Sequence, residues 1–365
     1  MKTSRAIFAA LLATSLTLTA CVSRDAEELP PDPALQQDEE TNKLPRATNS
    51  DPLTAPIAGP PLPVSSRWIP ASEYTPEETN FDAELKGTYR PDDKDPEERV
   101  PNIIERGRLI VGVDQSHNLL SYRDAATGEL QGFEVDLAYE IAEDIFGDRN
   151  RVDFRFLESA ERTQALANGT VDIVIRTMTI TPDREKDIAF SQPYMATDTR
   201  MLVLTSSGIT SIRETSGRTI CSVEGSTALD KITDFAPNSN LLITRSWGDC
   251  LMSLQLGQAN AVIVDDTLLS GMKAQDPYSS IVGEVLDTEM YGIGVRQPDQ
   301  HYDSRGLIRQ VNSTLDRIQD DGTWQSLFNE WFGEYLPTPT LPAPTYIDED
   351  TDEDTDEDSD EEDES

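Results

Sequence analysis

The chain has 365 residues, with 68 Asp and Glu against 30 Lys and Arg, a formal charge of -38, three cysteines and two histidines. That length suggests roughly two domains plus extensions, and the acidity excludes a nucleic-acid binder, which needs a basic face to neutralise phosphates. Three cysteines with no CxxC or HExxH pattern exclude a disulfide scaffold and a zinc site. With His117 and His301 as the only imidazoles, a Ser-His-Asp or Cys-His enzyme has few places to stand.

The first residues read as a targeting segment. Lys2 and Arg5 precede an apolar stretch from Ala6 to Leu18, which closes in Leu18-Thr19-Ala20-Cys21. About 13 apolar residues are too few to span a bilayer, which takes roughly 20. The pattern resembles a bacterial lipobox, so residues 1–20 are expected to be a signal peptide and Cys21 a lipidated first residue. The protein is then expected on the outer face of the cell membrane, held by its N-terminal lipid.

From Val22 to about Pro101, Pro, Glu, Asp, Thr and Ser dominate and no apolar period is sustained. Pro30-Pro31-Asp32-Pro33 and Pro60-Pro61-Leu62-Pro63 favour extended chain. Residues 21–100 therefore read as a mobile linker, with Trp68-Ile69-Pro70 and Tyr74 as the alternative points of docking. At the far end, residues 337–365 read as a disordered tail. Within it, Asp348 to Ser365 holds 14 acids and no base, a run that repels itself and stays solvated.

Between these ends the pattern is α/β. Arg108 to Val113 is a short apolar strand, and Tyr122 to Gly132, with Thr127-Gly128 at its tip, reads as a hairpin. Val135, Leu137, Ala138, Ile141, Ala142 and Ile145 have the spacing of an amphipathic helix that Gly147 ends. Val152 to Phe156 alternates as a strand, and a short helix through Leu166 leads to the strand Val171 to Ile175. Strands alternating with helices predict parallel sheet. Ala165 to Ile175 has a weak echo in Ser253 to Ile263, each a helix end, a glycine turn and a buried strand. Polar residues follow both strands, Arg176-Thr177 in one and Asp265-Asp266 in the other, and in open α/β sheets ligands sit beyond such strand ends.

Thr181 and Pro182 predict a helix start, whose free N–H groups attract anions. Arg184, one turn on, offers a bidentate grip on a carboxylate, with the Thr179 hydroxyl nearby. Thr219 to Val223, then Glu224-Gly225-Ser226-Thr227, predicts a strand, a turn and a second capped helix, without the Lys of a nucleotide P-loop. Asp265 and Asp266 end a buried strand, and Asp114 follows the first strand, with His117 as a cleft-wall residue. One strong cation, two helix starts and a strand-end carboxylate suit an α-amino acid, whose two charges must both be neutralised when water is excluded.

These motifs resemble the type 3 solute-binding proteins of amino-acid ABC transporters. The resemblance runs from about Arg106 to Trp331. It rests on Leu109-Ile110-Val111-Gly112-Val113, Gly132-Phe133-Glu134-Val135-Asp136-Leu137-Ala138, Val171-Asp172-Ile173, and Thr179-Ile180-Thr181-Pro182-Asp183-Arg184. Ile188-Ala189-Phe190-Ser191-Gln192-Pro193-Tyr194 and Asp321-Gly322-Thr323-Trp324 add to it. Arg176 to Thr181, the Cys221 and Cys250 positions, and Gln275-Asp276-Pro277-Tyr278 are most like the actinobacterial glutamine/glutamate-binding lipoproteins. Thr177 stands where many relatives have glycine, and His117-Asn118-Leu119 replaces a common aromatic wall.

The resemblance implies a two-lobed, periplasmic-binding-protein-like (type II) fold over residues 101–336. Lobe one would be about 104–199 and 294–335, and lobe two about 204–290, with crossings near Arg200–Leu204 and Met290–Ile293. It implies that Arg184 holds a ligand α-carboxylate with Thr179 and the backbone of Thr177, and that Asp265 holds the ammonium. Ser226 and Thr227 would contact the ligand from lobe two, and Asp114 and His117 would select its side chain. Arg176 and Arg123 favour a side-chain carboxylate, while Asp114 favours an amide or a cation, so the expected ligand belongs to the Glu/Gln/Asp/Asn group. Cys221 and Cys250 would pair as a disulfide. A membrane-tethered monomer delivering an amino acid to an ABC permease by lobe closure is expected, without catalysis, cofactor, metal or nucleic acid. The alternatives are a sensing subunit that signals to a membrane receptor and an enzyme on the same fold.

Overall fold

The computed structural model describes residues 60–76, 79–81, 83–300 and 302–347. The signal peptide, Cys21, linker residues 21–59 and the acidic run from Asp348 lie outside the described residues.

The described part of the segment expected to be a mobile linker, from Pro60 onward, is instead packed on the body. Its first element, β1 (Arg67–Ile69), pairs antiparallel along Leu241–Ile243, and the Trp68 indole N–H donates to Thr219 Oγ1 at 3.2 Å. Gln258 Nε2 donates to the Pro60 carbonyl at 2.7 Å. The short helices α1 (Pro96–Arg99) and α2 (Pro101–Arg106) then deliver the chain to β2 (Leu109–Val113). The small strands β3 (Ser116–His117), β4 (Ser121–Arg123) and β5 (Leu130–Gln131) form a three-stranded sheet of their own.

Helix α3 (Phe133–Phe146) buries Phe133, Leu137, Ile141 and Ile145 at the i, i+4 spacing of one helical face. It ends at Gly147, whose φ of 63 suits a left-handed C-cap. It begins at Gly132, where φ is 130 and an added Cβ would meet the Leu120 carbonyl oxygen at 2.2 Å, so the tight hairpin-to-helix corner requires glycine. There follow β6 (Val152–Phe156), α4 (Arg162–Ala167), β7 (Ile173–Val174) and the 17-residue β8 (Ile188–Leu204). The remaining elements are β9 (Thr219–Val223), α5 (Thr227–Asp230), α6 (Ile232–Phe235), β10 (Asn240–Thr244), α7 (Trp247–Gln255) and β11 (Ala261–Asp265). After them come α8 (Asp266–Gln275), β12 (Ser279–Arg296), α9 (Arg305–Asp320) and α10 (Thr323–Phe332).

The sheet is mixed, not parallel throughout, in the order β1-β10-β9-β11-β8-β12-β7-β2-β6. Parallel pairs join β2 to β6 and β7, and β9 to β10 and β11. The long strands β8 and β12 pair antiparallel with each other and with their outer neighbours. They are too long for local periodicity to reveal, because each serves both halves of the sheet. One half holds β2, β6 and β7, the other β9, β10 and β11, and β8 and β12 run through both. Thr199–Leu202 already pair with β11, so β8 changes lobes before Thr199 rather than at 200–204. On β12 the register slips between Val282 and Asp287, and Met290 and Gly292 already exchange backbone hydrogen bonds with Ile180 and Met178. The crossing there therefore precedes Met290.

The C-terminal boundary also moves. Leu336 and Leu341 pack against the core, and Thr88 N–H donates to the Thr345 carbonyl at 2.9 Å while Ile347 N–H donates to the Thr88 carbonyl at 2.9 Å. The tail's docked part thus runs to Ile347. Cys221 on β9 and Cys250 on α7 are disulfide-bonded, with Cα atoms 5.4 Å apart. No helix among the described residues is long and apolar enough to cross a membrane.

Candidate functional site

The helix-Gly-strand echo places its two polar ends face to face. One small cavity is lined by Ser159, Arg162, Thr177, Thr179 and Arg184 on one wall, and by Ser226, Thr227, Trp247 and Asp265 on the other. Arg184 and Asp265, expected to hold opposite ends of one ligand, line the same crevice. So do Thr177, Thr179, Ser226 and Thr227.

Of the two expected helix starts, only the second forms an α-helix. Arg184 opens a three-residue 3-10 turn, Arg184–Lys186, although Thr181 Oγ1 does accept from its backbone N–H at 3.2 Å. The second start is the four-residue α5, capped by Ser226, whose hydroxyl accepts from Leu229 N–H at 3.2 Å. Helices this short carry little macrodipole, so charge in this crevice comes from side chains. The Arg184 guanidinium donates to the Thr179 carbonyl at 2.8 Å and to the Gly225 carbonyl at 3.2 Å.

Arg162, which the sequence reading passed over, is the larger surprise. It is buried and donates to the carbonyls of Ser159, Arg176, Thr177 and Gly225 at 2.9 to 3.1 Å. Burial, then repulsion from Arg184 and Arg176, pulls its pKa well below the usual guanidinium value. Among the described residues neither Arg162 nor Arg184 forms an ion pair. Both reach across the seam to the Gly225 carbonyl. Gly225 has a φ of +73, and a Cβ there would lie 3.0 Å from Ala160, so the lobes touch where only glycine fits closely.

Asp114, His117 and Arg176, the expected side-chain selectors, are not among the lining residues. They form a buried cluster one layer behind, because Asp114 has a partner within the chain. Arg176 Nη2 donates to Asp114 Oδ2 at 2.5 Å, and Nη1 donates to Ser159 Oγ at 2.7 Å, which links the cluster to the cavity wall. Burial works against the charge on Asp114, yet His117, Arg176 and the Ser116 groups hold its pKa well below the ordinary carboxylate value. His117 Nε2 lies 3.4 Å from Asp114 Oδ2, and burial pushes its pKa down to about 4. Arg123 is exposed and donates to the Gly128 carbonyl at 2.8 Å, away from the cavity, because the β4–β5 hairpin turns it outward.

Thr177 has a φ of 40, in the region that favours glycine. Its conformation is held by the buried Glu134, whose Oε1 accepts from Thr177 N–H at 2.6 Å and from the Tyr194 hydroxyl at 2.6 Å. The motif containing Glu134 marks a helix start in the sequence, but nothing local shows that its carboxylate points inward.

The opposing wall is acidic. Asp265 accepts from the Tyr291 hydroxyl at 2.5 Å and from Thr199 Oγ1 at 3.3 Å. Burial, followed by the charge of Glu289, raises its pKa to about 8. Asp266 turns away and accepts from Thr197 Oγ1 at 2.8 Å. Glu289, on β12 and buried, accepts from Thr179 Oγ1 at 2.6 Å and Thr227 Oγ1 at 2.8 Å, one hydroxyl from each wall. Those two hydroxyl oxygens are 3.4 Å apart. The cleft is therefore nearly shut, and a ligand must part the lobes to enter.

Two lobes joined by paired strands, with polar groups of both converging at the strand ends, are the architecture of a hinged solute-binding protein. The chain belongs to the bacterial extracellular solute-binding proteins, family 3, which it matches over residues 109–334. It is 36% identical over 204 residues to a glutamine-binding protein of Geobacillus stearothermophilus, covering 56% of this chain and 78% of that one. It is 30% identical over 243 residues to the glutamate-binding protein GluB of Corynebacterium efficiens, covering 63% and 81%. Among solved structures it resembles the solute receptor for L-cysteine of Neisseria gonorrhoeae, with a TM-score of 0.60 at 25% identity, covering 65% and 96%.

Proposed function

We propose that this protein binds an acidic amino acid between its lobes and presents the closed form to an ABC permease. Its bulk would lie outside the cell, tethered through a lipid on Cys21. The observation that carries the reading is charge placement. Three arginines, Arg162, Arg176 and Arg184, stand at or just behind one wall, and among the described residues only Arg176 is ion-paired, with Asp114. Asp265 stands on the other wall.

A ligand with two carboxylates and one ammonium complements this arrangement. Its α-carboxylate would lie on Arg184 and the Thr179 hydroxyl, its ammonium on Asp265, and its side-chain carboxylate in the field of Arg162. The relatives named for glutamate binding support that ligand class, and those named for glutamine binding are the reason the amides belong in the test. Only the closed form applies both walls to one molecule, so binding favours closure. The ligand would leave unchanged, since the part proposed for the lining groups is to grip charge.

Isothermal titration with glutamate, aspartate, glutamine and asparagine tests the proposal. Tightest binding to glutamate or aspartate is expected, and heat only with lysine, arginine or histidine overturns it.

A further inference from the structure

The segment before residue 109 lies outside the family match, yet it crosses the seam between the lobes. β1 lies on lobe two, and the Tyr74 hydroxyl donates to the Leu229 carbonyl at 3.5 Å, still on that lobe. A few residues later the chain is on lobe one. Asn80 N–H donates to Asp183 Oδ2 at 2.9 Å, Lys86 N–H donates to Glu185 Oε2 at 2.7 Å, and Lys86 Nζ donates to the Glu185 carbonyl at 2.7 Å. Asp183 and Glu185 are the two neighbours of Arg184. Between these attachments Phe81, half-buried, returns to lobe two and sets its ring centroid 4.3 Å from Lys231 Nζ.

Lys231 is committed inward from there. Its ammonium pairs with Asp287, and with Glu289 Oε1 at 3.0 Å. The other Glu289 oxygen takes the Thr179 and Thr227 hydroxyls, one from each wall of the cavity. An unbroken set of contacts thus leads from an aromatic ring outside the family domain to the two hydroxyls that face each other across the site.

We infer that Phe81 is a positioning residue of the binding site: covering the Lys231 ammonium, it holds Lys231 on Glu289 and so keeps the seam between Thr179 and Thr227 closed. An aromatic face attracts an ammonium without competing for its carboxylate partners. It also keeps water off the Lys231–Glu289 pair, whose attraction weakens steeply as the local dielectric rises. Without the ring, Glu289 is held less firmly, the closed arrangement is less populated, and apparent affinity falls with that population. This rests on the amino-acid-binding reading above.

The test uses the full chain. Phe81→Ala is expected to weaken L-glutamate binding about fivefold by titration calorimetry. Phe81→Tyr restores it, and Phe81→Leu, apolar but without a π face, does not. Parent-like affinity in Phe81→Ala overturns the inference, as does full rescue by leucine. Hydrogen exchange over residues 224–231 of the ligand-free protein reads the same seam without a ligand. It should quicken in Phe81→Ala and return to the parental rate in Phe81→Tyr, and unchanged exchange overturns the inference whatever the ligand proves to be. Failure of the parent to bind any of the four acidic or amide amino acids counts against the proposed function alone.

Discussion

Arg176 and Arg184 belong to the same wall of the molecule and live under different rules. Arg176 is 1% exposed and paired with Asp114, itself 1% exposed. Arg184 is partly buried and, among the described residues, its guanidinium donates only to the carbonyls of Thr179 and Gly225. A guanidinium whose carboxylate partner lies within the chain is part of the structure. One that meets only peptide dipoles keeps an unspent charge, and that charge faces the cavity. The lesson is that the count of arginines near a site says less than which of them are already satisfied.

The sharpest way to break this contrast is to truncate each arginine. Arg176→Ala leaves Asp114 buried without its partner, which costs about 3–5 kcal/mol, so its loss should appear as a lower denaturation midpoint. Arg184→Ala strands no buried carboxylate, so its midpoint should stay near the parent's while glutamate affinity falls about 100-fold, on the order of 2–3 kcal/mol. A variant pair with the two outcomes exchanged would reverse the assignment.

Asp265→Asn should weaken binding about tenfold and also flatten its pH dependence. With its pKa raised to about 8, Asp265 is largely protonated at neutral pH before a ligand arrives. A ligand ammonium favours the ionised form, so binding releases a proton and affinity rises as pH climbs through about 8. Calorimetry in buffers of different ionisation enthalpy would detect that proton, and its absence would mean the ammonium lies elsewhere.

The smallest effect expected is from Gly225→Ala. The left-handed backbone there and the approach to Ala160 resist even a methyl group, so closure should be impeded and affinity should fall a few-fold. A parental affinity would place the interlobe contact elsewhere in the bound form.

Much of the central fold was legible because its signals are local. The apolar run of β2, the i, i+4 face of α3 and the turn glycines each announce themselves within a dozen residues. Arg184 and Asp265 were legible for a similar reason, the one just after the Thr181-Pro182 start signal and the other at the end of an apolar strand. The misread parts depend on partners far away in sequence. Trp68 meets Thr219 across 151 positions, and nothing in a proline-rich stretch distinguishes an extended chain that docks from one that does not. Asp114 was read as a ligand selector because its claim on Arg176, 62 positions on, cannot be seen from either residue alone. Arg162 and Glu289 look like ordinary surface charges in their helix and strand, and only the packing of the lobes turns both inward.

The docking of β1 has a further consequence. A sheet's outermost strand exposes a row of peptide groups that can recruit a strand from another molecule. Here β10 would be that strand, and three residues of the chain's own leader lie along it instead. The opposite border, β6, has no such cover among the described residues but carries the paired charges of Asp153 and Arg155, which discourage a second copy from adding on. A chain cut back past Ile69 would exchange a sealed margin for an adhesive one, and crowded preparations of it would be expected to self-associate where the parent does not.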